Sequence, residues 1–181
     1  MSFTAIIGPM KSGKSLELIA RLAPYQYTDL HILFVQSAKH VRDSGVQSRA
    51  GVQADAKHVS TLREIGDDFD IIAIDEFHMF DDPGDIHTLS AWLQSGKSVY
   101  VAGLDVDYSG TLTKPFAQVL AQKPTEIVCK YAVCEVCRQF NAQFTQIIKD
   151  GKPIVSGLPS VVPEDGTYGY EPRCRNCFVR A

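Results

Sequence analysis

The chain has no apolar run approaching the roughly 20 residues that a membrane-spanning helix needs, and its first residues lack the basic-then-apolar layout of a secretory leader. These absences lead to the expectation of a cytoplasmic protein with no membrane partner. An excess of one charge sign is also missing: 18 Lys and Arg stand against 21 Asp and Glu, a formal net charge of −3. Such a balance gives no general electrostatic attraction to nucleic acid, and Arg173, Arg175 and Arg180 are too few to make a basic patch. Internal repeats and low-complexity tracts are absent. Cysteine is scarce, with five in 181 residues, and a reducing compartment would keep those thiols free for metal. What remains is a chain with 45% hydrophobic residues, enough for one core domain and a small appendage.

Short apolar runs alternate with helical stretches. Segments 3–7, 31–35, 70–74, 98–102 and 126–129 read as strands that are apolar throughout, the pattern of a parallel sheet buried on both faces. Cys129 reads as a buried residue of the last of these. Segments 14–22, roughly 84–93, and 115–121 read as helices, with Pro115 suited to a first turn. The core is therefore expected to be an α/β nucleotide-binding domain over residues 1–130. Beyond Tyr131 the composition turns to cysteine, glycine and proline, and 131–181 reads as a second, smaller domain.

The run Gly8, Pro9, Met10, Lys11, Ser12, Gly13, Lys14 and Ser15 fits G-x-x-x-x-G-K-[ST] and falls between a strand and a helix, the context this motif requires. Glycines let backbone N–H groups wrap phosphates, Lys14 supplies a point charge, and the Ser15 hydroxyl suits Mg²⁺. A second acid-bearing motif is Ile71-Ile72-Ala73-Ile74-Asp75-Glu76, an apolar strand ending in two carboxylates. Asp75 is the natural metal-side acid. Glu76, pointing differently, could take a proton from an attacking hydroxyl or water.

Two C-x-x-C knuckles, Cys134 with Cys137 and Cys174 with Cys177, can furnish four thiolates in a closed tetrahedral Zn²⁺ site, a structural rather than catalytic arrangement. The metal would staple the long segment 138–173. A redox role for one pair is the competing reading, disfavoured because neither pair both follows a strand and opens a helix.

In their order along nearly the whole chain, GPMKSGKS, IIAIDEFHMF, AGLDVDYSG followed by KPF, and the terminal PRCRNC resemble the type II thymidine kinases. The resemblance implies a RecA-like P-loop core, a zinc-stapled lasso domain, ATP with Mg²⁺ as donor, deoxythymidine as acceptor and a homotetramer. It implies further that residues 8–15 hold the ATP phosphates with Asp75 near Mg²⁺, and that Glu76 is the base acting on the 5′-hydroxyl. His78 is placed on the same donor side, replacing a glutamine. Met10, Leu104, Phe80, Tyr108 and Tyr170 match positions around the base, and dTTP is an expected feedback inhibitor.

The chain departs from that pattern at several places. His40 replaces an acid two residues before Arg42, which with Ser48, Arg49, Ala50 and Gly51 matches a segment lying near the phosphates. Segment 108–116 is longer than usual, with Thr111, Leu112 and Thr113 extra. The lasso reads Val162-Pro163-Glu164-Asp165-Gly166 where a Val-Gly-Gly-like run is typical, with a longer 154–161 segment before it. Two other functions stay open. One is a P-loop enzyme that hydrolyses nucleotide or uses another acceptor; the other is a non-catalytic zinc module in which the loop acts as a switch.

Overall fold

The protein is described by a computed structural model at residues 2–39, 45–47, 51–162 and 166–180. His40, Arg42, Ser48, Arg49, Ala50, Pro163, Glu164 and Asp165 lie outside the described residues. In chain order the strands are β1 (Phe3–Ile7), β2 (Ile32–Ser37), β3 (Val46–Gln47), β4 (Gln53–Ala54), β5 (Lys57–Val59), β6 (Ile71–Asp75), β7 (Ser98–Gly103), β8 (Glu126–Cys129), β9 (Ala132–Val133), β10 (Phe140–Ala142), β11 (Phe144–Lys149), β12 (Lys152–Ile154) and β13 (Gly169–Arg173). The helices are α1 (Lys14–Leu22), α2 (Asp85–Gln94) and α3 (Lys114–Ala121).

The five apolar segments read from sequence do form strands, joined by β5, in a six-stranded sheet ordered β5-β2-β6-β7-β1-β8. All of its pairings are parallel. Alternation along each strand sends side chains to opposite faces. Ile72 and Ile74 join Val35, Val99 and Val101 beneath Leu89, Trp92, Phe116 and Val119 of α2 and α3. Ile71 and Ala73 join Ile6 and Ala102 beneath Leu18 and Leu22 of α1. A strand covered on both sides has no polar face to show, which is why these runs read as continuous apolar stretches.

The outermost strands break that rule. β5 reads Lys-His-Val and pairs only with β2, so it carries no apolar run and its sequence gives little sign of a strand. At the other edge β8 pairs only with β1, and Ile127 is 48% exposed. Cys129, expected to be buried, is exposed for the same reason: the edge strand has no helix over that side chain. A charged cluster ties this edge to α1. Arg21 bonds Glu17 at 2.8 Å and Glu126 at 2.5 and 2.9 Å, while Lys130 reaches Glu17 at 2.9 Å.

After β8 the chain builds two small antiparallel sheets, β10-β9 and β12-β11-β13. β11 is the central strand, with Phe144, Thr145, Gln146 and Ile147 buried. The wholly buried Gln146 amide is satisfied at both ends, donating to Ile154 O at 3.2 Å and accepting the Val179 N–H at 2.9 Å. Asp150 and Gly151 both have positive φ, 51° and 72°, and make the two-residue turn of the β11–β12 hairpin, a geometry that favours Asp-Gly.

Gly103, at the carboxyl end of β7, shows how closely the sheet approaches its cover. A Cβ there would stand 2.9 Å from Phe116 Cε2, 3.0 Å from His78 Nδ1 and 3.1 Å from the Phe77 backbone N. Gly103→Ala is therefore expected to destabilise the protein by about 1–3 kcal/mol through overpacking, read as a lower midpoint in urea unfolding. A midpoint equal to wild type would show that the backbone here gives way freely.

Candidate active site

The carboxyl ends of β1, β6 and β7 come together where the phosphate loop turns into α1. The loop cannot be built by ordinary backbone: Gly8 has φ 146°, Gly13 φ 80° and Lys11 φ 61°. At Gly8 a Cβ would lie 2.4 Å from Lys130 O, so glycine is required by both conformation and space. Lys14 is buried, and its Nζ donates to Pro9 O at 2.8 Å, a carbonyl also taken by Ser12 Oγ at 2.7 Å. The N-terminus of α1 points its first N–H groups at the same place, as anion binding requires.

Asp75 ends β6 fully buried, and the Ser15 hydroxyl bonds its carboxylate. Its Oδ1 has no hydrogen-bond partner among the described residues. Burial pushes the Asp75 carboxyl up to about 7 and the neighbouring Glu76 adds to this, against the pull of Ser15 and Lys14. A buried, partnerless carboxylate oxygen beside a loop hydroxyl is the donor set that a hard divalent cation takes, so Ser15 and Asp75 fit Mg²⁺.

Glu76 occupies the left-handed region at φ 51°, ψ 42°. A side chain that is not glycine is held there at a cost of about 1–3 kcal/mol, which the packed surroundings must sustain. Glu76 starts the 3₁₀ turn Phe77–Met79. His78, within that turn, brings Nδ1 to 3.4 Å from Glu76 Oε2. The Leu104 N–H donates to the same Nδ1 at 3.3 Å, which puts the proton of the neutral ring on Nε2.

Beyond His78 lies a cavity lined by Leu104, Tyr108 and Asp107 from the core and by Thr145, Ile147 and Tyr170 from the appended strands. Four of the residues expected around the acceptor or donor, His78, Leu104, Tyr108 and Tyr170, thus meet at one place. Phe80 packs instead within the main core among Phe77 and Ile86. Met10 is buried, and its backbone N–H donates to Thr145 Oγ1 at 2.9 Å.

Thr145 escaped the sequence reading. It sits in β11, Phe-Thr-Gln-Ile-Ile-Lys, with neither alternation nor motif around it, and only the fold sets its hydroxyl against the phosphate loop. Asp105 escaped it too. It is half-buried, accepts a bond from the Gly8 backbone, and burial raises its carboxyl above the usual aspartate range. The extra residues Thr111, Leu112 and Thr113 close a tight turn: Asp107 Oδ1 accepts from Ser109 N and Oγ and from Thr111 N, while Val106 bridges Leu112. That turn carries Tyr108.

The four knuckle sulfurs all lie within 4.8 Å of one another, and Cys137 Sγ is 3.7 Å from Cys174 Sγ. A tetrahedral Zn²⁺ with bonds of about 2.3 Å sets its sulfurs about 3.8 Å apart, so the cluster fits zinc. Burial alone would raise the Cys134 thiol, but the backbone groups of Cys137, Cys174 and Val136 bond its sulfur and lower it to about 6. Each knuckle follows a strand, β9 or β13, and opens a turn rather than a helix. Its contacts reach the phosphate loop, where Lys11 pairs with Glu135.

In the sheet order, β7 separates the phosphate-loop strand from the acid-bearing strand, and the paired acids face the loop across it. That arrangement is a RecA-like nucleotide-binding α/β core, here carrying a cysteine-clustered appendage. A sequence model of the family described as "TK: Thymidine kinase" matches residues 1–178. Among curated proteins, a thymidine kinase of Chloroflexus aurantiacus is 34% identical over 184 residues, spanning 97% of this chain and 93% of the relative. One from Roseiflexus sp. is 32% identical over 185 residues, with 97% and 94% covered. The chain belongs to the thymidine kinase family.

Two outcomes follow from this geometry. Asp75 ordinarily titrates near 3.8 and is pushed up to about 7. Its ionisation therefore costs the fold nothing below about pH 4, and a penalty grows until about pH 7 and is then constant. Asp75→Asn should melt about 2–6 °C above wild type in metal-free buffer at pH 7.5, with the gap closing toward pH 4. A gap independent of pH would disprove the cause. Stripping zinc with a chelator, or Cys174→Ser, should leave the sheet folded by circular dichroism but expose 131–180 to protease. Unaltered cleavage with zinc absent would show that the knuckles do not depend on metal.

Proposed function

We propose that this protein transfers the γ-phosphoryl group of ATP to the 5′-hydroxyl of deoxythymidine, giving dTMP for nucleotide salvage. The observation that carries the reading is the continuity of the site: His78 both approaches Glu76 and lines the cavity, so an acceptor in that cavity lies next to the acid pair and the phosphate loop. In this reading residues 8–15 hold the donor phosphates, and Lys14 exchanges its Pro9 carbonyl for a phosphate oxygen. Mg²⁺, held by Ser15 and Asp75, would neutralise phosphate charge. Glu76 accepts the proton of the attacking hydroxyl. Little basicity is demanded of it, because phosphoryl transfer passes through a loose transition state in which positioning and charge neutralisation dominate.

Residues 1–130 serve as the kinase core and 131–181 as a lasso, whose β11 and β13 bring Thr145 and Tyr170 to the base. The cation and oxyanion chemistry belongs to the core, the choice of acceptor to the lasso. Two regulatory features accompany this reading. dTTP acts as a feedback inhibitor because its base and deoxyribose fill the acceptor cavity while its phosphates reach the donor loop, and the working unit is a homotetramer.

The test is ATP- and Mg²⁺-dependent formation of dTMP, beside a blank without nucleoside. Glu76→Gln, folded as wild type, should lose on the order of 10²-fold in kcat with thymidine KM little changed. ATP turnover in the blank without thymidylate would replace this reading by nucleotide hydrolysis. Inhibition by dTTP that thymidine fails to relieve would remove the feedback proposal.

A further inference from the structure

Gln36 and Gln146 are both buried, and their amides fare in opposite ways. Gln146 is used at both ends, donating to Ile154 O and accepting the Val179 N–H. Gln36, in β2, is only 1% exposed, yet its Oε1 has no hydrogen-bond partner among the described residues. A buried amide oxygen left in this way costs the fold stability that an apolar side chain of similar shape would not. Packing therefore gives no reason for a polar residue at this point of the strand.

Sheet register shows what Gln36 stands beside. Where β2 pairs with β6, Ile32 lies next to Ile71, Phe34 next to Ala73 and Gln36 next to Asp75. Ile32, Phe34, Ile71 and Ala73 all pack with Leu18 and Leu22 on the α1 side of the sheet. Alternation carries that face on to Gln36 and Asp75, on strands about 4.8 Å apart. This is the end of the sheet where Ser15 of α1 bonds the Asp75 carboxylate. Asp75 Oδ1, like Gln36 Oε1, is without a partner. Neighbouring buried oxygens that no protein donor satisfies call for positive charge and protons brought from outside. A hydrated divalent cation brings both, because Mg²⁺ keeps several of its waters when only one or two carboxylates bind it.

We infer that Gln36 is a positioning residue of the donor site: its side-chain oxygen accepts a proton from water on the divalent cation that Ser15 and Asp75 hold. The proposal rests on the reading of Ser15 and Asp75 given above, and deepens it by adding a group that orients the cation's water shell from the neighbouring strand. Such outer partners govern where a metal sits and how firmly, without a bond to it. A neutral amide does so without burying another negative charge beside Asp75 and Glu76.

The experiment uses full-length wild type, Gln36→Leu, Gln36→Glu and Asp75→Asn. Melting is followed in metal-free buffer, and binding with Mn²⁺ as the probe for the Mg²⁺ site, free Mn²⁺ being read by electron paramagnetic resonance. Without metal, Gln36→Leu should melt about 2–4 °C above wild type, since the orphaned oxygen is gone. Its Mn²⁺ affinity should nevertheless fall on the order of tenfold. Gln36→Glu keeps an acceptor and should bind Mn²⁺ at least as tightly as wild type. Gln36→Leu melting below wild type would overturn the premise that the amide lacks a partner. Gln36→Glu binding as weakly as Gln36→Leu would assign the loss to packing and overturn the acceptor role. Unchanged affinity in Gln36→Leu, with binding lost in Asp75→Asn, would overturn the part given to Gln36 and leave the Ser15 and Asp75 site standing. Wild type that binds no Mn²⁺ would remove that site and the proposal with it.

Discussion

A carboxylate buried at the end of a strand that is covered on both faces is the constraint on which the rest of this structure depends. Asp75 can sit there because α1 closes one side of the sheet and α2 and α3 the other, and because Ser15 and Lys14 come to meet it from the phosphate loop. The same burial that fixes its position raises the cost of its charge. The ionised site therefore costs the fold stability when left to itself, a cost that a cation held by Ser15 and Asp75 would relieve. Glu76 shows the same compromise in its backbone. Its left-handed conformation starts the turn that brings His78 Nδ1 to its carboxylate, and the packed surroundings sustain the strain.

The second organising relation is between loop and lasso. The Met10 N–H donates to Thr145 of β11, Lys11 pairs with Glu135 of the first knuckle, and Gly8 lies against the Lys130 backbone. The phosphate loop and the segment after β8 are thus joined by a hydrogen bond and an ion pair rather than merely neighbouring each other. A metal held by the four cysteines would close the long loop between the knuckles, lowering the conformational entropy of its unfolded chain. Gln146 and the hydroxyls of Tyr108 and Tyr170 bond backbone groups of residues 154, 158, 162 and 179 and so tie these segments together.

Much of the core was legible because its physics is local. β1, β8 and α1 match the ranges read from sequence, and β2, β6, β7, α2 and α3 differ by one or two residues at their ends, where hydrogen-bonded turns extend or trim an element. The phosphate loop was legible because its glycines answer to backbone conformation. The cysteine spacing was legible because few other chemistries need two such pairs. What escaped had no local signature. β5 is a polar edge strand, recognisable only beside β2. Cys129 sits in an apolar run that happens to be the last strand of the sheet, so nothing covers it. The Asp150-Gly151 hairpin was written in the sequence but masked by the turn-rich composition around it.

Sequence alone determined the nature of the chemistry: which residues can cradle phosphates, which acids end a strand, and which thiols can share a metal. Those properties belong to single side chains and to spacings of a few residues, and they survive without knowledge of the fold. Tertiary structure decided how those parts come together. Thr145 reaches the phosphate loop and Tyr108 bonds Leu158 only once sheet order and the path of the appended strands are set. Contacts between residues 50 or more positions apart depend on the packing of whole elements, and no local pattern of residues encodes them.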